Sequence, residues 1–383
     1  MEHINSSFTR KLDGVQCLRA FAVLIVIASH FSVIFTGKFG SESFFNIITQ
    51  NSPFAVDLFF FISGFIMVFT TNGNITNRAI RFYDFAIKRV FRIFPVYYSC
   101  LLVYLVFIVM YDRSFQMENI PWMDTLKSSL LIPLNYTDAP PFYGYSLIIP
   151  AWTITYEVYF YLVFSISLLI TSRFRTILCS LILVLIAFAM QIYTTGKVSF
   201  DAQSVGHLDV GVLGNISFIS NPIIYDFIIG MIIGEFFLSD YKNKLSNTID
   251  AIAPILLCFG LSAFISMFRY GYGITNGAIG ALFLLFPIIY YDISRGVKYP
   301  KPFVFIGNIS YSLYISHIVV ISVADRYSNL FQVYTQSYGW RRFCVIVTIS
   351  ITVAVLMHKF IEIPTTRLAK RVIIKIKNRN VTS

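Results

Sequence analysis

Apolar runs close to membrane-spanning length recur along almost the whole chain, separated by short polar connections or longer aromatic-rich ones. About twenty apolar residues in a helix cross the hydrocarbon core, and in lipid only helices and closed barrels satisfy their own backbone. The runs place spans at about 15–36, 53–70, 94–111, 147–170, 176–193, 221–238, 251–268, 274–291, 305–324 and 343–361. The pattern predicts an all-α polytopic membrane protein, a single bundle of about ten transmembrane helices over residues 1–370 with a basic tail over 371–383. No stretch is left for a separate soluble domain, and no internal repeat interrupts the pattern.

Composition sharpens this reading. The 383 residues are 56% hydrophobic and 13% charged, with a mean hydropathy of +0.70, far from a soluble globular chain. The five cysteines show no CxxC spacing, so neither a zinc site nor a disulfide framework is indicated. The first run contains Arg19 and lacks a small-residue cleavage site, which marks a retained helix.

A net charge of +11 would suit a nucleic-acid partner, but its distribution points to membrane topology. With the N-terminus in the cytoplasm, the inside receives Arg10 and Lys11, the cluster from Arg78 to Arg92, Arg173 and Arg175, Lys242 and Lys244, Arg295 to Lys301, and Arg367 to Arg379. These far outnumber the outside residues Lys38, Arg113, Lys127, Lys197, Arg269, Arg326, Arg341 and Arg342. Both termini are therefore expected in the cytoplasm. Three long loops, roughly 37–52, 112–146 and 194–220, then face outwards; their aromatic residues suit either sugar faces or an interfacial belt.

Ionisable residues inside or bordering the spans, Arg19, His30, Asp57, Glu157, His317 and Glu362, carry the candidate chemistry, because such groups are costly in lipid. Arg19 and His30 bracket ten almost wholly apolar residues; eleven helical steps make about three turns and about 16 Å, so both lie on one face. Arg19 is expected either to pair with Asp57 or Glu157 or to meet a ligand directly. An imidazole ordinarily titrates near neutrality, which equips His30 to take and return a proton. His317, among hydroxyl neighbours, reads as a hydrogen-bonded structural histidine. Arg89 and Arg92 share a helical face beside Lys88 and either suit phosphate oxygens or form an ordinary positive-inside cluster. No GxxxxGK or GxGxxG loop is present, so nucleotide hydrolysis and dinucleotide redox chemistry lose their usual support.

Six motifs in order resemble the acyltransferase family 3 membrane proteins, which acylate cell-surface carbohydrates. Leu12-Asp-Gly-Val-Gln-Cys-Leu-Arg19 through His30 resembles the opening Arg-x10-His motif, and Val56-Asp-Leu-Phe-Phe-Phe-Ile-Ser63-Gly64-Phe the Phe-Phe-x-x-Ser-Gly-Phe signature. Arg89-Val-Phe-Arg92-Ile-Phe-Pro-Val-Tyr97 resembles Arg-x-x-Arg-Ile-x-Pro-x-Tyr, and Trp152-Thr-Ile-Thr-Tyr-Glu157 resembles Trp-Ser/Thr-Leu-x-x-Glu. Gly307-Asn-Ile-Ser310-Tyr311-Ser-Leu-Tyr and Glu362-Ile-Pro364 resemble the late blocks. The segment Val15-Gln16-Cys17 departs from the plainer opening of many members towards the branch that decorates exopolysaccharide and lipopolysaccharide. The chain also ends soon after its last span, where some members carry a fused periplasmic esterase-like domain.

The resemblance implies a carbohydrate O-acetyltransferase of the bacterial inner membrane. It would use cytoplasmic acetyl-CoA and no metal, with O-antigen, exopolysaccharide, capsule or a lipid-linked precursor as acceptor. It implies phosphate contacts from Arg89, Arg92 and Lys88 near Tyr97, and His30 as base or transient acetyl carrier. Arg19 would stabilise a phosphate or developing charge, and Asp57 or Glu157 would orient the imidazole or Arg19. Trp152, Ser63, Ser310 and Tyr311 would support the substrate or the packing. The rival reading is a secondary transporter for a lipid-linked sugar or organic acid, since buried ionisable residues also mark transport paths.

Overall fold

Each apolar run becomes a helix. The structure, a computed structural model, describes residues 12–35, 44–73, 77–109, 121–204 and 215–379. Parts of the three outer loops, with Lys38, Arg113 and His207, and the N-terminal segment with His3, Arg10 and Lys11 lie outside the described residues. Among the described residues, all regular structure is helical.

The long helices are α1 (Asp13–Phe31), α2 (Ser52–Thr70), α3 (Arg78–Tyr104), α4 (Trp152–Ile170), α5 (Arg175–Thr195) and α6 (Ile224–Leu238). They continue with α7 (Ser246–Ile265), α8 (Ala278–Tyr290), α9 (Lys301–Arg326), α10 (Gly339–Met357) and α11 (Ile363–Arg379). Among the described residues, nine helical segments are long and apolar enough to cross a membrane. The tenth expected span, 221–238, forms α6, which has only 15 residues and lies packed along α2.

Two segments differ from the sequence expectation. The helix expected over 94–111 begins at Arg78, where the Asn77 side chain caps it by accepting the Ile80 N–H at 3.2 Å. Arg89 and Arg92 therefore sit three turns inside a helix and not at its mouth. The helix is amphipathic, burying Phe85 and Ile93 while its guanidiniums turn inward to the bundle. Of the basic tail expected over 371–383, residues 371–379 are part of α11, which buries Ala369 and Ile373 and docks on α3, with Lys377 Nζ 3.3 Å from Asp84, and the remainder lies outside the described residues. Apolar residues four apart supply the docking face, so the charge run is one side of a packed helix.

One end of the bundle gathers the basic residues. There Arg78 donates to the Ile170 carbonyl at 2.8 Å, the Gly14 N–H to Asp292 at 2.6 Å, and Arg295 pairs with Asp250. The core is centred on α1, α2 and α9. Close backbone approach holds α2 to α6: a Cβ on Gly64 would lie 2.9 Å from the Met231 nitrogen and would run into the Phe227 carbonyl, and one on Gly230 would strike the Phe61 carbonyl. Small residues at such crossings substitute backbone packing for the hydrophobic drive that lipid does not provide. Likewise Gly307 of α9 rests on the Gln16 backbone of α1.

Gly230→Val should force α2 and α6 apart and cost about 1–3 kcal/mol, the usual range for overpacking. A fall in the thermal unfolding midpoint of purified protein in detergent checks this, and an unchanged midpoint contradicts it.

Candidate active site

Between α1, α2, α3, α4 and α9 lies a cavity of about 910 Å³, near the upper end of the range for small-molecule pockets, about 300–1,000 Å³. Helical spacing builds each wall. Gln16 and Arg19 come from α1, Phe59, Ser63, Ile66 and Thr70 from α2, Arg89 and Arg92 from α3, Thr153, Glu157 and Tyr161 from α4, and Ser310, Tyr311 and Tyr314 from α9. Residues three or four apart share a helical face, so five interrupted apolar sequences present five polar stripes to one space.

Three guanidiniums meet there. Arg19 makes no hydrogen bond and no ion pair within 4.0 Å among the described residues; it lies in the fields of Arg92, Glu362 and Glu157. Arg92 likewise has only more distant acidic neighbours, Glu362 and Glu157. Arg89 lies 5.0 Å from the ring centroids of both Phe85 and Tyr161, with Nη2 3.5 Å from Thr70 Oγ1 and a buried Nε that has no partner. The carboxylate on the wall is already engaged: Glu157 accepts hydrogen bonds from Tyr161 and, at 3.2 Å, from Ser63. Glu362 lies off the wall, bound to His358 and Ser312 at 2.8 Å each. Positive charge thus exceeds directly paired negative charge, which suits a ligand with several phosphate oxygens. Ser310, whose Oγ is buried without a partner, and Tyr311, which donates to the Ile93 carbonyl at 2.8 Å, complete the polar surface.

His30 is placed differently. It does not line the cavity; its ring meets that of His317 nearly edge to edge, with centroids 5.0 Å apart and Nδ1 2.8 Å from His317 Nε2. Tyr314 links the two places: it lines the cavity, its hydroxyl bonds Thr153 at 2.9 Å, and its ring lies 6.2 Å from that of His317.

The expected Arg19–Asp57 pair does not form. Asp57 falls off the α2 stripe that faces the cavity; fully buried, it accepts the Gly273 N–H at 3.1 Å and faces the equally buried Asp226. The Arg19–Glu157 pair is also absent as a direct bridge; Glu157 instead accepts from Ser63 and Tyr161, both at Oε1. Lys88 points away and pairs with Asp84 at 2.5 Å one turn earlier. Tyr97 is buried two turns beyond the arginines, donating to the Ser128 carbonyl at 2.6 Å. Trp152 packs edge-on against Phe142, Tyr156 and Tyr272 and does not line the cavity. In the Ser63-Gly64 element the two residues separate: Gly64 packs against α6, and Ser63 lines the cavity and donates to Glu157.

Tyr161 and Tyr314 escaped the sequence reading. The Glu157–Tyr161 spacing of one helical turn was available as a signal, whereas the contacts of Tyr314 and the pairing of His30 with a residue 287 positions away were not.

Comparison with known proteins gives two findings. A family profile described as an acyltransferase domain matches residues 12–359. The exopolysaccharide production protein ExoZ of Rhizobium meliloti (strain 1021) is 26% identical over 276 residues, 71% of this chain and 77% of the relative. No solved structure matches.

Glu157→Ala strips Tyr161 and Ser63 of their acceptor, so a loss of about 1–3 kcal/mol is expected, the usual cost of a buried donor left unsatisfied. Glu157→Gln keeps an acceptor and should lose less. Thermal unfolding of both variants checks the order, and equal losses would contradict it.

Proposed function

The chain belongs to acyltransferase family 3, and from that membership we propose that it moves an acetyl group from acetyl-CoA to a hydroxyl of a surface polysaccharide or its lipid-linked precursor. The observation that carries the donor assignment is the convergence of Arg19, Arg89 and Arg92 on one cavity, with Arg19 and Arg92 free of direct partners among the described residues. Arg89 and Arg92 would hold the donor's phosphates, and the apolar wall of Phe59 and Ile66 suits an uncharged arm reaching inward. The charge asymmetry supports entry from the cytoplasm, since the basic end of the bundle is the end at which Arg89 opens. The similarity to ExoZ, named for exopolysaccharide production, supports a polysaccharide acceptor.

Transfer needs a base near the acceptor hydroxyl. We assign that role to His30, about 16 Å along α1 from Arg19. Its imidazole takes the hydroxyl proton as the acceptor oxygen forms a bond to the thioester carbonyl carbon. The carbon–sulfur bond then breaks, and the departing thiolate receives that proton, so the products are the acetyl ester and free CoA thiol. Access from the cavity to His30 passes Tyr314, whose ring must turn aside.

Purified protein given labelled acetyl-CoA and the isolated glycan should label the glycan and release thiol. His30→Ala, confirmed as folded, should fall by about 100-fold or more in kcat, within the general acid–base range; retained activity removes His30 from the chemistry. The double variant Arg89→Ala with Arg92→Ala should raise KM for acetyl-CoA about tenfold or more, as expected for lost charge-assisted hydrogen bonds. A change confined to acceptor dependence would overturn the donor assignment.

A further inference from the structure

We propose that His317 is a positioning residue that fixes the tautomer of His30, a role that rests on the acyl-transfer reading above. His317 is fully buried, and its Nδ1 lies 3.2 Å from the Leu313 carbonyl oxygen, one turn earlier on α9. A carbonyl only accepts, so Nδ1 carries a proton. The Nε2 of a neutral imidazole then offers a lone pair, and the neutral form is the one that buries no charge.

That lone pair faces His30 Nδ1 at 2.8 Å, so His30 must donate from Nδ1. His30 therefore keeps its own Nε2 unprotonated. This nitrogen has no hydrogen-bond partner among the described residues, and the residue is only half-buried. A backbone carbonyl of α9 thus reaches through two rings to leave a basic nitrogen on α1. A free imidazole chooses its tautomer without such direction, and which nitrogen is protonated is set by the hydrogen bond the other makes.

The same contact serves the step. When His30 Nε2 takes the hydroxyl proton, the ring becomes cationic with both nitrogens protonated, and its Nδ1–H still donates to the His317 lone pair. When Nε2 returns the proton to the thiolate, the pair recovers its starting state. Proton count and charge balance without any proton leaving the His317–Leu313 bond. The ring centroids are 5.0 Å apart and the planes 23° apart, so the two rings meet nearly edge to edge as an in-plane N–H···N bond requires, and that bond limits rotation of the His30 ring.

The test is the ring-nitrogen spectrum of full-length protein labelled with 15N histidine in nanodiscs, with His30→Ala to assign the His30 signals. His30 should appear protonated at Nδ1 in the wild type and revert to Nε2 in His317→Ala. His317→Gln, whose amide oxygen can accept the same bond, should keep the Nδ1 form. In the transfer assay His317→Ala should lose about 100-fold in kcat with KM for acetyl-CoA unchanged, and His317→Gln should recover much of that. A wild-type spectrum with His30 protonated at Nε2, or equal activity of His317→Ala and His317→Gln, overturns the positioning role. Should His317→Ala fail to fold, the wild-type and His317→Gln spectra still decide. A folded His30→Ala that transfers acetyl at the wild-type rate overturns the positioning role by removing its object from the chemistry, whereas wild-type protein that transfers no label from acetyl-CoA overturns the acyl-transfer reading itself, whatever the tautomer.

Discussion

Three guanidiniums inside a helical bundle must be solvated by something other than lipid, and the arrangement of the central helices answers that constraint. An arginine at membrane depth costs several kcal/mol unless it faces protein, water or a partner. Arg19, Arg89 and Arg92 come from α1 and α3, and with α2, α4 and α9 they enclose a single polar space. Spreading the charges over separate sites would need separate counter-ions. Gathering them makes one cavity in which a polyanionic ligand would neutralise all three together, which is the physical basis of the donor proposed for this protein.

The surrounding glycines make that gathering possible. Gly64 brings α2 against α6, and Gly307 brings α9 against α1, so the helices that carry Ser63, Ser310 and Tyr311 are held close on their packed faces while their polar faces stay apart. Ser63 and Gly64 are adjacent in sequence and point to opposite duties because successive helical residues are about 100° apart. The second consequence of this packing is the meeting of His30 with His317, since the α1–α9 contact that Gly307 permits at one end brings the two rings together at the other.

The legible part of the site consisted of local patterns. Arg19 and Glu157 stood out as costly groups within apolar spans, Arg89 and Arg92 as a pair on one helical face that suits phosphate or a positive-inside cluster, and Ser63 as support for substrate or packing; each lines the cavity. The expectations for Asp57, Lys88, Tyr97 and Trp152 depended on which way a residue faces among several neighbours. Asp57 turned to Gly273 and Asp226, Lys88 to Asp84, Tyr97 to Ser128, and Trp152 to an aromatic cluster. Charge or aromaticity marks a residue as exceptional, but the pairing that satisfies it is chosen by distant segments.

Hydropathy alone determined that the chain is a helical membrane bundle, because in lipid the backbone has no other way to satisfy itself over twenty residues. Spacing alone determined that several ionisable groups share helical faces. Tertiary structure decided which faces converge, started α3 sixteen residues before its apolar run and so drew Arg89 and Arg92 into the interior, and docked the basic tail as α11. It also joined His30 to His317 across the length of the chain. These outcomes depend on contacts between segments far apart in sequence, where the energy of one charge or ring is settled by whichever partner the packing delivers.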